Sequence, residues 1–256
     1  MPFTLAHVAA ALPSRRMRLN MSALIVGTMA PDFVYFLRLA PRGGFGHTIP
    51  GALVLSLPLA LLVLWLFHNV VKRPVISLMP DAIQNRLTID TDKFRFSPPP
   101  TFALIAASAL VGITTHILWD LFTHPNTWLY HHWLFLSQTE HWPIVGHIQH
   151  YKIFQHVSTI VGCCILAAWL IHWYRVTRPR SQLSGRYLPW RQKLVIIALM
   201  LTIASLGSIV RTVIGSNPSS DTAELLIGKA VCTFIALIWW QLVIYGLLSH
   251  KRISSE

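Results

Sequence analysis

The chain has 256 residues, 54% hydrophobic and 12% charged, about half the charged share of an ordinary soluble domain. Its net charge of +12 sits in short loops between apolar runs and forms no RNA- or DNA-binding motif. That excludes a soluble globular domain and a nucleic-acid binder. Several apolar runs approach or exceed roughly 20 residues, the length that crosses the hydrocarbon core. An all-α, polytopic transmembrane helical bundle of five or six spans is expected, as a single integral-membrane domain over residues 1–256.

In chain order, residues 2–13 predict a short helix with Pro2 near its start and Pro13 ending it. Met1 to Ala11 has no basic region ahead of its apolar part, so it does not read as a signal peptide. After Arg15, Arg16 and Arg18, residues 19–40 are apolar but broken at Gly27 and Pro31-Asp32. They predict either a span or a re-entrant segment. Spans are expected at 49–71, 101–122, 153–174, 194–215 and 225–248. Lys and Arg fill loops 72–100 and 175–193 and the C-terminus, whereas residues 123–150 contain neither. The positive-inside rule therefore puts the basic loops and the C-terminus in the cytoplasm and the His-rich loop outside. With six spans both termini are inside, which the Arg15–Arg18 cluster favours; with five, the N-terminus is outside. Cys163, Cys164 and Cys232 lie in apolar runs without CxxC spacing and are expected to be small buried core residues, not a disulfide framework.

Chemistry concentrates in Thr114–Pro125, T-T-H-I-L-W-D-L-F-T-H-P. His116, Asp120 and His124 are spaced i, i+4, i+8 and fall within about 80° on one helical face. Among nine acidic residues, only Asp32 and Asp120 lie inside apolar stretches, where an unpaired carboxylate costs at least ~2.5–3.5 kcal/mol. Eight of the thirteen His lie between His116 and His156, so imidazole is the available partner for Asp120. Such a set suits Zn, Mn or Fe better than Mg or Ca. His116 and His124 would be about 12 Å apart along a continuous helix, too far to share one ion. Either His116 and Asp120 hold one ion with His124 behind them, or Asp120 bridges two. His131, His132 and His141 alternate with Trp128, Trp133 and Trp142 as in an interfacial aromatic belt. Lys152 and His156, with Arg211 late in a later span, are candidates for an anionic substrate group.

Five ordered segments carry a resemblance: M-P-F-T-L-A-H at the start, M-A-P-D-F at 29–33, F-G-H-T at 45–48, T-H-I-L-W-D-L-F-T-H at 115–124, and Y-K-I-F-Q-H-V-S at 151–158. Together they resemble a bacterial polytopic family known as domain of unknown function 4184. More distantly, the pattern resembles the YdjM-like inner-membrane proteins, described as membrane-bound metal-dependent hydrolases. That resemblance implies a metal set of His7, Asp32, His47, His116 and Asp120. Phe33, Val34 and Tyr35 stand where that group has further Asp and His after its Pro-Asp, and His124 is additional.

The expected function is a metal-dependent hydrolase in the bacterial cytoplasmic membrane. It would hold one or two divalent ions, Zn foremost, against an ester or phosphoester, with a lipid or other anionic compound as substrate. Asp120 and His124 would be its catalytic groups, and Lys152, His156 and Arg211 would bind substrate. The alternatives are a transporter or proton- or metal-conducting protein using the same cluster, or a membrane protein stapled by a non-catalytic metal.

Overall fold

The computed structural model describes residues 3–87, 94–125, 127–143, 146–179, 188–217 and 221–253. Within the two basic loops, residues 88–93 and 180–187 lie outside the described residues. The helices are α1 (Met21–Gly27), α2 (Phe33–Arg38), α3 (Ile49–Leu78), α4 (Asp81–Gln84), α5 (Pro99–Thr123), α6 (Trp128–His132), α7 (His150–Val176), α8 (Trp190–Ile214) and α9 (Ala223–Ile253). Among the described residues α3, α5, α7, α8 and α9 are the five long and apolar enough to cross a membrane. The protein is an all-α polytopic membrane protein, and lipid is the solvent for its exposed apolar helix faces.

The chain divides into two compact units. The first comprises residues 1–32, 45–61 and 96–173, and the second 33–44, 62–95 and 174–256. In the first, the N-terminal segment does not form the span that six crossings would need. Thr4–Arg16 winds as a tight 3-10 helix that runs through Pro13. Asn20 then caps α1 by accepting from the Ala23 amide at 3.0 Å. Helix α1 stops at Gly27, and a single 3-10 turn, Ala30–Asp32, carries the Pro31-Asp32 break. Proline has no amide to donate and disfavours a helical residue before it, which is why no continuous helix covers 19–40.

Helix α1 lies along α5 at the closest approach a backbone permits. A Cβ on Gly27 would run into the Ala109 carbonyl oxygen, and one on Gly112 into the Leu24 carbonyl oxygen and the Thr28 amide. Gly27 on α1 thus lies against Ala109 and Gly112 on α5. This pairing of small residues replaces the hydrophobic driving force that lipid does not supply. The Ser108 hydroxyl also accepts from the Asn20 amide at 2.9 Å. Asn20 thus sits level with Ser108, and Thr28 level with His116, whose Nδ1 lies 2.7 Å from the Thr28 oxygen. The two helices therefore run parallel. At the other end of the segment, the Phe3 amide donates to Thr159 at 3.1 Å and Ala6 packs on Gly162. Such irregular backbone is tolerated at membrane depth only when packed inside protein. Ala11, Ala23 and Ala30 meet that condition, being completely buried.

The described residues of 127–149 hold more regular structure than the plain loop expected over 123–150. They contain α6, a 3-10 turn at Leu134–Ser137, and an antiparallel hairpin of β1 (Thr139–Trp142) and β2 (Gly146–Gln149) with His141 opposite His147. Gly146, at φ +77°, supplies the left-handed turn residue that pattern reading missed. Cys163 and Cys164 are exposed on α7, not buried; only Cys232 is in the core. An apolar lipid solvent lets a small thiol face outward at no cost, so apolar context did not imply burial.

The second unit contains the antiparallel pair α8 and α9. Ser208 donates to the Ala230 carbonyl at 2.7 Å and Gln241 to the Met200 carbonyl at 3.2 Å. Val70, Val71 and Val243 form its buried core beside Trp239 and Leu242. Two buried lysines are neutralised locally. Lys193 pairs with Asp81 at 2.5 Å, and Lys229 pairs with Asp221 at 2.5 Å while donating to the Gly215 carbonyl. That second pair holds the Asp221 carboxyl below the usual range. Sequence reading passed over Lys229 altogether.

Candidate functional site

The first unit brings His7, Asp32, His47, His116, Asp120 and His124 into one cluster. Its floor is α5. His116 and Asp120, four residues apart, lie about 10 and 5 Å below the helix end by the 1.5 Å rise, and both are buried. Pro31-Asp32 delivers its carboxylate from the turn after α1. His47 arrives from the 3-10 turn Phe45–His47 just before α3. Gly46 makes that approach feasible, since a Cβ there would press on the Pro31 carbonyl. Ser56, buried in a widened π turn of α3 (Ala52–Ser56), donates to the Gly46 carbonyl at 3.0 Å and fixes the turn.

Four ligand-type atoms converge. His47 Nε2 is 3.3 Å from His116 Nε2, 3.4 Å from Asp32 Oδ1 and 3.2 Å from Asp120 Oδ2. His116 Nε2 is 3.7 Å from Asp32 Oδ1 and 3.2 Å from Asp120 Oδ2. Donor atoms 2.0–2.1 Å from a tetrahedral ion lie about 3.3–3.4 Å from one another. The five separations lie near that length, and Asp32, His47 and His116 offer ligand atoms within 4.8 Å of one another. Asp32 Oδ1 is buried and faces His47 Nε2 at 3.4 Å and His116 Nε2 at 3.7 Å, a position where a cation compensates the cost of burying a carboxylate oxygen.

The supporting contacts point the same way. A carbonyl oxygen only accepts, so the 2.7 Å contact to Thr28 puts the His116 proton on Nδ1 and leaves Nε2 with its lone pair. Thr4 donates to Asp32 Oδ2 at 2.7 Å, turning Oδ1 toward the two imidazoles. Neither Thr4 nor Thr28 stood out in the sequence, because their roles depend on contacts far along the chain.

The other oxygen of Asp120 has its own partners. Asp120 Oδ1 is 3.6 Å from His7 Nε2 and 3.4 Å from His124 Nδ1. His124 does not continue the helix; it leaves α5 as the C-cap, with φ −125° and ψ 143°. Its amide still donates to the Asp120 carbonyl at 3.1 Å, so it keeps its helical place relative to His116 while its ring meets Asp120. Burial, reinforced by the neighbouring His116, pushes the His7 pKa down to about 4. For His47, burial also opposes the charge, but the Asp120 and Asp32 carboxylates outweigh it and raise the pKa to about 9.

The three residues expected to bind substrate do not join this cluster as a group. Lys152 is half-buried in the first turn of α7, His156 is exposed on the same helix, and Arg211 lies in the second unit beside Gly215. Gln155 is the α7 residue that reaches toward the site, donating to the Thr123 carbonyl at 3.4 Å. His150, from the His-rich region, is held between the Phe135 carbonyl at 2.8 Å and Glu140 at 3.4 Å.

No curated protein and no solved structure matches this chain. A family model does, over residues 1–247, which takes in every residue of the cluster. The chain belongs to the family defined by the domain of unknown function DUF4184.

Proposed function

We propose that the cluster is the divalent-metal centre of a membrane-embedded hydrolase acting on an ester or phosphoester, with a lipid as the favoured substrate. The observation that carries this reading is the convergence of His47 Nε2 and His116 Nε2, 3.3 Å apart, with Asp32 Oδ1 and Asp120 Oδ2 each 3.2–3.7 Å from both. Two imidazoles and two carboxylates suit Zn foremost, with Mn or Fe as alternatives. An ion bound there would lower the pKa of a coordinated water and polarise a carbonyl or phosphoryl oxygen. Thr4 and the Thr28 carbonyl orient Asp32 and His116; His7 and His124 orient Asp120 through its other oxygen. His47 and His124 keep side-chain exposures of 17% and 21%, the largest among the ion-paired groups of the cluster. They form its accessible edge.

The distribution of Lys and Arg among the loops supports a site on the outer side of a bacterial cytoplasmic membrane, with the C-terminus inside. A proton or metal conductor is the weaker reading. Residues 99–115 of α5, leading from the site toward the basic loop, contain no titratable side chain, whereas a relay needs them to continue through the membrane. A structural metal staple is the serious rival, because four protein ligands fill a tetrahedral ion and closed sites are usually structural.

Metal analysis of the detergent-purified protein is the test. Wild type should carry stoichiometric metal, and His116→Ala and Asp120→Ala should lose it. A wild type that binds none sinks the reading. Cleavage of phosphodiester or lipid-ester reporters by the wild type, absent in both variants, separates the hydrolase from the staple.

A further inference from the structure

The four-atom set leaves half of Asp120 and two imidazoles unused. Asp120 Oδ2 faces His47 and His116, while Asp120 Oδ1 faces His7 Nε2 at 3.6 Å and His124 Nδ1 at 3.4 Å. Each carboxylate oxygen thus has its own pair of imidazole nitrogens. The His7 and His116 rings stack nearly parallel, with centroids 3.9 Å apart and planes 21° from each other. Both present Nε2 to Asp120, one to each oxygen. Parallel ligands offset by that distance address two points about as far apart as the ions of two-metal hydrolytic sites, roughly 3.5–4 Å.

We propose that Asp120 bridges two divalent cations, the second held by His7 Nε2, His124 Nδ1 and Asp120 Oδ1. This rests on the metal-centre reading above and deepens it. The second position has only three protein groups, so it keeps a place open for water or substrate, as catalytic sites do and closed structural sites do not. It also lies toward the accessible edge, through His124. The remaining His124 nitrogen, Nε2, is buried and makes no hydrogen bond among the described residues. Its Nδ1 lies 3.4 Å from Asp120 Oδ1 and 3.3 Å from Thr123 Oγ1. On this assignment the first ion organises the fold around Asp32 and His47, and the second carries the exchangeable ligand.

Full-length protein in detergent, stripped with chelator and reloaded with Mn(II), tests this by stoichiometry and by electron paramagnetic resonance. Wild type should take up two ions per chain and give the multiline spectrum of an exchange-coupled pair. His124→Ala and His7→Gln should each retain one ion and give the spectrum of isolated Mn(II). His7→Gln keeps a polar group at that position should His124→Ala fail to fold. One uncoupled ion in the wild type, unchanged in both variants, overturns the second position and leaves the first intact. No bound ion in the wild type overturns both.

Discussion

His116 donates through Nδ1 to the carbonyl oxygen of Thr28 at 2.7 Å, and this bond decides which imidazole nitrogen meets the carboxylates. The bond exists because α1 lies flush on α5, with Gly112 beneath the Leu24 carbonyl. Gly112→Val should push α1 off α5. Overpacking of this kind typically costs about 1–3 kcal/mol, and here it should also lower metal affinity by releasing His116. Thermal unfolding in detergent, with chelator competition for bound metal, measures both. A variant with lower stability and wild-type metal affinity would contradict the coupling.

Thr4 is the simplest probe of orientation without loss of a ligand. Its hydroxyl donates to Asp32 Oδ2 at 2.7 Å. Thr4→Val preserves shape and removes the donor, and groups of this kind are worth roughly 10–100-fold in metal affinity. Thr4→Ser should restore most of it. Equal affinities for Val and Ser would remove Thr4 from the site.

The stability of the metal-free protein should depend on pH in two directions. His47 is raised from 6.5 to about 9, so its contribution is complete below 6.5 and disappears as pH rises to about 9. His7 is lowered from 6.5 to about 4, so the buried neutral ring penalises the fold increasingly as pH falls from 6.5 to about 4. Unfolding midpoints of stripped protein should therefore peak near neutrality. His47→Gln should flatten the alkaline side. Saturating metal should do the same, because a ligating imidazole has already lost its proton. An alkaline slope that persists in His47→Gln would assign it to other groups.

The path of the N-terminal segment makes a topological prediction. His7 and Asp32 both reach the end of α5 that leads into the Arg- and Lys-free residues 127–149. An epitope at residue 1 should therefore be protease-accessible from the same side as that region and opposite the C-terminus. An N-terminal tag on the C-terminal side would be incompatible with His7 beside Asp120.

The five long spans were legible because lipid imposes a length and an apolar composition that any sequence displays. His116 and Asp120 were legible for a related reason, since polar groups in an apolar run are costly and conspicuous. Asp32 stood out in the same way, but its partner did not. The N-terminal path was ambiguous: charge clustering pointed to six spans, and the close approach at Gly27 and Gly112 decided for a segment packed against α5. His124 meets Asp120 as the i, i+4 spacing expected, although the chain leaves α5 at that residue.

What the sequence determined by itself was a membrane protein with two imidazoles and a carboxylate at one end of one helix. The motif resemblance anticipated that His7, Asp32 and His47 would join them; tertiary structure alone decided which oxygen of Asp120 each imidazole would face. The physical reason is that hydrophobic length and burial cost are local properties of a chain. Ligand geometry is set by contacts between segments that only close packing of small residues brings together.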